Sequence, residues 1–219
     1  MEIDMKKAIQ KVACFVGLLM AASASFATSS ACNAQAGNLV ANCGFESGDF
    51  TGWTVSGNDV PGEQGNLYGV EQGADPFDGM SPHSGNNQAY FADLVSNAST
   101  LSQNLATQAG KNYVISFYLA QDTTPGTGEG SNSLDVMFGG TTLENVSNVA
   151  VEGYTEYSFL ASATSSSTSL KLTLGNGLGE FLLDDVSVVA AATVPEPSSI
   201  AVIGIGMLAM LYAVRRRQR

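Results

Sequence analysis

Hydrophobic and polar residues alternate in short runs through residues 38–189, and Gly, Asn, Asp and Pro bound the runs. A period of two puts successive side chains on opposite sides of an extended chain, so each run predicts a strand with one buried face. The clearest are 112–120, 133–138, 154–161, 169–174 and 181–189. In the first, Tyr113, Ile115, Phe117 and Leu119 share one face, while Val114, Ser116 and Tyr118 share the other. In the last, the same alternation sets Asp184 beside Leu182, Val186 and Val188, and a carboxylate on an apolar face needs a partner. No run shows helical spacing over three turns. Segments 56–66 and 121–132 are polar and glycine-rich and predict rims, and the Ser/Thr run 162–169 predicts a turn. About ten short strands in one domain predict an all-β, antiparallel two-sheet sandwich over residues 38–190, with residues 28–37 as a linker.

Both ends depart from this pattern. Residues 1–27 carry Lys6, Lys7 and Lys11, then an apolar stretch from Val12 to Ala22, then Ser25-Phe26-Ala27. Basic start, apolar middle and small-x-small end are the parts of a secretory signal peptide, with the cut expected after Ala27. At the other end Val194-Pro195-Glu196-Pro197 precedes an uncharged stretch, Ile200 to Val214, and then Arg215-Arg216-Arg217-Gln218-Arg219. At ~1.5 Å per residue the uncharged stretch covers ~22 Å of a ~30 Å hydrocarbon core, so a span over 198–214 is marginal. The arginines hold that end in the cytoplasm and leave the domain outside.

In the order Pro-Glu-Pro, short hydrophobic helix, arginine cluster, residues 194–219 resemble the PEP-CTERM sorting tail of Gram-negative bacteria. The resemblance implies recognition of Pro195, Glu196 and Pro197, with Arg215, Arg216 and Arg217 behind them, by an exosortase and the secretion machinery. It implies transient anchoring in the inner membrane, then transfer to the cell surface or the extracellular matrix.

Composition sharpens the domain between the ends. The chain has 20 acids and 9 bases, but the bases gather at the termini: residues 28–194 keep only Lys111 and Lys171 against 17 acids. A charge of about −15 excludes a nucleic-acid partner of the usual kind and favours a bound divalent cation. Cys14 leaves with the signal peptide, and Cys32 and Cys43 remain as an even pair. In an oxidising compartment they are expected to form a disulfide, within the chain or between chains.

The order of local motifs resembles the galactose-binding-like jelly roll of carbohydrate-binding modules. The motifs are Asn38 to Glu46 with Phe50-Thr51-Gly52-Trp53, then His83-Ser84-Gly85-Asn86, Leu101 to Leu105 and Lys111 to Phe117, then Phe181 to Val188. In related modules the Glu of the opening Gly-Phe-Glu and an Asp of the last strand hold a structural Ca²⁺. By motif these map onto Glu46 and onto Asp184 or Asp185, and hard oxygen ligands suit that ion.

Trp53 reads as a core residue at the start of a strand. Tyr118 faces away from the core and is the first candidate for stacking on a sugar, with Tyr68, Phe77 and Tyr90 near polar segments that could rim a cleft. His83 is the sole histidine, reads as an exposed loop residue after Pro82, and has no nucleophile elbow to serve. Catalytic residues are therefore not expected. The reading is a non-enzymatic exported protein that associates with exopolysaccharide through its jelly roll; the alternative is a structural coat or matrix protein with no glycan ligand.

Overall fold

The computed structural model describes residues 30–57, 67–76, 79–122, 131–149, 153–177 and 179–192. The signal segment 1–27 and the tail from 193 lie outside them. Among the described residues there are ten strands, β1 Thr54–Ser56, β2 Tyr68–Gln72, β3 Asn87–Phe91, β4 Ser99–Ala106, β5 Asn112–Asp122, β6 Asn132–Phe138, β7 Thr141–Ser147, β8 Thr155–Ser162, β9 Ser167–Asn176 and β10 Glu180–Ala190. A one-turn helix, α1 (Ala31–Ala34), precedes them. All pairings are antiparallel, in two five-stranded sheets ordered β1-β4-β9-β6-β7 and β2-β3-β10-β5-β8. This is the antiparallel two-sheet sandwich that the alternating runs predict, in the jelly-roll form that the resemblance implies.

The five runs correspond to β5, β6, β8, β9 and β10; four are extended by a residue or two at an end where pairing outlasts the hydrophobic pattern, and β8 is shifted by one residue. Along β5, Ile115, Phe117 and Leu119 are fully buried and Tyr113 nearly so, while Val114, Ser116 and Tyr118 are half-buried on the other face. Phe45, Phe91, Phe117, Phe138 and Phe181 fill the space between the sheets with Leu101, Leu134, Leu170 and Leu172. Each such side chain contributes about 1.5–3 kcal/mol through burial. Trp53 is buried, stacks on Phe45 at 6.0 Å, and donates its Nε1–H to the Asn42 carbonyl at 3.2 Å. It is the core residue that its motif implies.

Three expectations fail. Asp184 does not share a face with Val186 and Val188, because β10 carries a bulge: Asp184 pairs with Tyr118 but Ser187 with Ser116, so three steps on β10 match two on β5. Asp185 is the extra residue, at φ +50°. Leu182 and Asp184 therefore face outward with Tyr118, and Val186 and Val188 return to the core. Second, 28–37 is no linker from Ser30 onward, since Ser30 and Cys32 are buried and α1 packs on β10. Third, His83 is only partly exposed and is bonded into the fold.

Candidate functional site

β10 lies at the centre of its sheet, and its outer face is covered by two segments distant in sequence, Ser30–Gln35 and His83–Ser84. The bulge turns the Asp185 carboxylate toward both. Its Oδ1 accepts from Ser30 Oγ at 2.6 Å and from Cys32 N at 3.0 Å; its Oδ2 accepts from Ser84 Oγ at 2.6 Å and from His83 Nδ1 at 2.7 Å. Burial raises the Asp185 pKa, but four donors outweigh it and hold the group below its ordinary value. An ionised carboxylate only accepts, so Nδ1 of His83 carries the proton. Ser84 and His83 bind the same carboxylate oxygen rather than each other, which is not the relay of a serine nucleophile and its base.

Asp184, next along the strand, is fully buried and accepts from Ser84 N at 3.0 Å and Asp185 N at 2.7 Å. Burial, with the charges of Asp185 and Glu46 added, pushes its pKa up to about 8 against the hydrogen bonds it accepts. Gly44 must be glycine here, because a Cβ would stand 2.2 Å from Ser30 Oγ. Glu46 is held from the other side, its Oε1 accepting from Asn86 N at 2.9 Å and Asn87 N at 3.1 Å.

A cation site needs oxygens with lone pairs to spare. Asp185 has none, since four hydrogen bonds fill its four acceptor positions. Asp184 retains two of four, and Glu46 has one oxygen engaged by backbone amides. Of the three acids that the sequence singles out, Glu46 and Asp184 keep lone pairs that a hard cation could use, and Asp185 acts as a clasp. His83, Asp184 and Asp185 also place one ligand atom each within 4.8 Å of one another.

Beside the clasp lies an open cleft of about 320 Å³. Ala31, Cys32, Ala34 and Gln35 form one wall, Ser116, Tyr118 and Glu156 the other, and Asp185 closes it. The Tyr118 ring is set by a stack on His83, with centroids 3.5 Å apart and planes 14° from parallel. Tyr154 meets the edge of the same imidazole at 5.5 Å and donates its hydroxyl to Gln88 Oε1 at 2.6 Å. Cys32 and Cys43 form an intrachain disulfide, Cα atoms 6.1 Å apart, which ties α1 down as the wall of this cleft.

The other aromatic candidates go elsewhere. Tyr68 faces inward and packs on Phe91 and Phe50. Tyr90 is on the outer face of β3, its ring lying across Gly69. Phe77 and the sorting residues Pro195, Glu196, Pro197, Arg215, Arg216 and Arg217 fall outside the described residues. Sequence reasoning missed Ser30, His83, Ser84 and Gln35. Two consecutive acids inside a strand, where alternation has room for one, were the available sign of a bulge; nothing local marks Ser30 or Gln35.

Residues 193–217 match the PEP-CTERM protein-sorting motif, so the chain carries an export and cell-surface sorting tail. No helix of the described residues is long and apolar enough to cross a membrane. Among solved structures, the chain is similar to the TmCBM61 module in complex with beta-1,4-galactotriose, at 21% identity and a TM-score of 0.49, covering 70% of this chain and 99% of that one. It is also similar to a Clostridium thermocellum xylanase, a CBM22-1 and GH10 pair complexed with xylohexaose, at 18% identity and a TM-score of 0.46, covering 72% of this chain and 29% of that one. A third is the CBM22-1 xylan-binding domain of Paenibacillus barcinonensis Xyn10C, at 17% identity and a TM-score of 0.46, covering 69% and 93%. These likenesses are of fold. No curated protein matches the chain.

Proposed function

We propose that this is a non-enzymatic exported protein, delivered by its tail through an exosortase to the cell surface or extracellular matrix, whose jelly roll binds exopolysaccharide. The observation that carries the reading is the open cleft of about 320 Å³ in which a fixed aromatic ring, Tyr118, stands among the hydroxyl, amide and carboxylate groups of Ser116, Gln35 and Glu156. Sugar rings offer apolar C–H faces and a rim of hydroxyls, and such a site meets both. A Ca²⁺ held by Glu46 and Asp184 would brace the segments that position Ser84 and His83 beneath the ring.

The test is depletion of the full-length chain, in mild detergent, against a panel of matrix polysaccharides with Ca²⁺ and with chelator. Saturable retention that Tyr118→Ala weakens about tenfold is expected, in line with loss of a stacking contact of ~1–1.5 kcal/mol. Loss of retention in chelator supports the ion's part in the site, and unchanged retention removes it. If no polysaccharide retains a cooperatively melting protein, the reading as a structural coat protein replaces this one.

A further inference from the structure

Two carboxylates line the cleft at Tyr118: Asp185, which His83 meets, and Glu156. Glu156 is exposed at its rim, and Asp185 lies at its end among its hydrogen-bond donors. Besides His83, residues 28–194 hold just two bases, Lys111 and Lys171, and neither reaches Glu156. Lys171 is on β9, exposed on the outer face of the other sheet; Lys111 precedes β5, seven residues before Tyr118, about 23 Å along an extended strand. A uronate, sulfate or phosphate would meet the Glu156 carboxylate as a like charge, while a neutral sugar offers it hydroxyl hydrogen bonds but no opposite charge.

Tyr118 and Glu156 are direct cross-strand partners on β5 and β8, so their side chains rise from the same face about 5 Å apart at Cβ. His83 covers one face of the ring, which leaves the rest of it and the Glu156 carboxylate to meet a ligand together. An aromatic ring beside a carboxylate suits an ammonium group, through attraction to the ring quadrupole and a charge-assisted hydrogen bond. Gln35 and Ser116 supply an amide and a hydroxyl for the sugar's neutral groups.

We propose that the cleft recognises polysaccharide carrying free, non-acetylated amino sugars, with the ammonium of one hexosamine unit seated between Tyr118 and Glu156. This rests on the glycan-binding reading and narrows it to one sugar chemistry. The test is calorimetric titration of the full-length chain with three tetrasaccharides of equal length: glucosamine, N-acetylglucosamine and a uronic acid. The glucosamine tetramer is expected to bind about tenfold more tightly than the acetylated one, the uronate not at all, and Glu156→Gln to erase the preference. Asp135→Asn, which removes a charge on the other sheet, should leave the preference intact. Equal or tighter binding of the acetylated tetramer, a preference that survives Glu156→Gln, or one that Asp135→Asn also erases would each overturn the proposal while glycan binding stands. Binding of none of the three, with no retention on any neutral polysaccharide, would remove both.

Discussion

Asp49 shows how a single exposed carboxylate organises the approach to the site. Its Oδ1 accepts from Thr51 N at 2.9 Å and Ser47 Oγ at 2.7 Å, while its carbonyl accepts from Asn42 Nδ2 at 2.9 Å. The turn so formed carries Phe45 and Trp53 into the core and Glu46 to the edge of the site. Hydrogen bonds from Thr51 and then Ser47 lower the Asp49 pKa. A folded-state value below the unfolded one contributes stability that is present above the unfolded pKa and lost as pH falls through the folded one. NMR titration should therefore find Asp49 below the usual carboxylate range, and Asp49→Asn should flatten part of the acid limb of the melting curve. An Asp49 that titrates at its ordinary value would show that the turn does not hold it.

At the scale of elements, α1 cannot stand by its own helical bonds, since four residues do not repay nucleation. It is placed by the clasp at Asp185, by Ala31 N donating to Ser84 Oγ at 2.7 Å, and by the disulfide. Closing the loop from Cys32 to Cys43 is worth about 3 kcal/mol in the chain-entropy account. Cys32→Ser with Cys43→Ser should lower the unfolding free energy by about that amount in urea and weaken glycan retention as well, because α1 is a wall of the cleft. Lost stability with full retention would mean that hydrogen bonds alone keep α1 seated. The same element marks where sequence reading stops. β5, β6, β8, β9 and β10 were legible because alternation is a local signal, and so was the outward face of Tyr118. Ser30 and Gln35 were not, because their partners Asp185 and Ser187 lie 155 and 152 residues away. The bulge fell between these cases: Asp184-Asp185 breaks the period visibly, but the period itself cannot say which residue is extra.

For the whole molecule the dominant fact is charge, about −15 over residues 28–194. Two lysines cannot neutralise 17 acids, so the acids repel one another across the surface. Screening at 0.5 M salt shrinks the reach of that repulsion to a few Å, roughly half its length at 0.1 M. Raising NaCl over that range should lift the melting temperature by about 2–4 °C, the shift expected for ~1 kcal/mol in a domain of this size. A melting temperature that falls with salt would show that attractive charge contacts outweigh the repulsion.

The strand order has a consequence for how this chain is made. β9 joins β1-β4 to β6-β7, and β10 joins β2-β3 to β5-β8. The two central strands are thus the last two in the sequence, and until they arrive each sheet exists only as two separate pairs. Made from its N-terminus, the chain can complete neither sheet until residues 167–190 are present, β9 closing one layer and then β10 the other. Any fragment that stops short of β9 leaves both sheets as separate pairs with unpaired edges. The last two strands are thus the keystones, one to each sheet, and the contacts that complete the sandwich are the longest in sequence and the slowest to form.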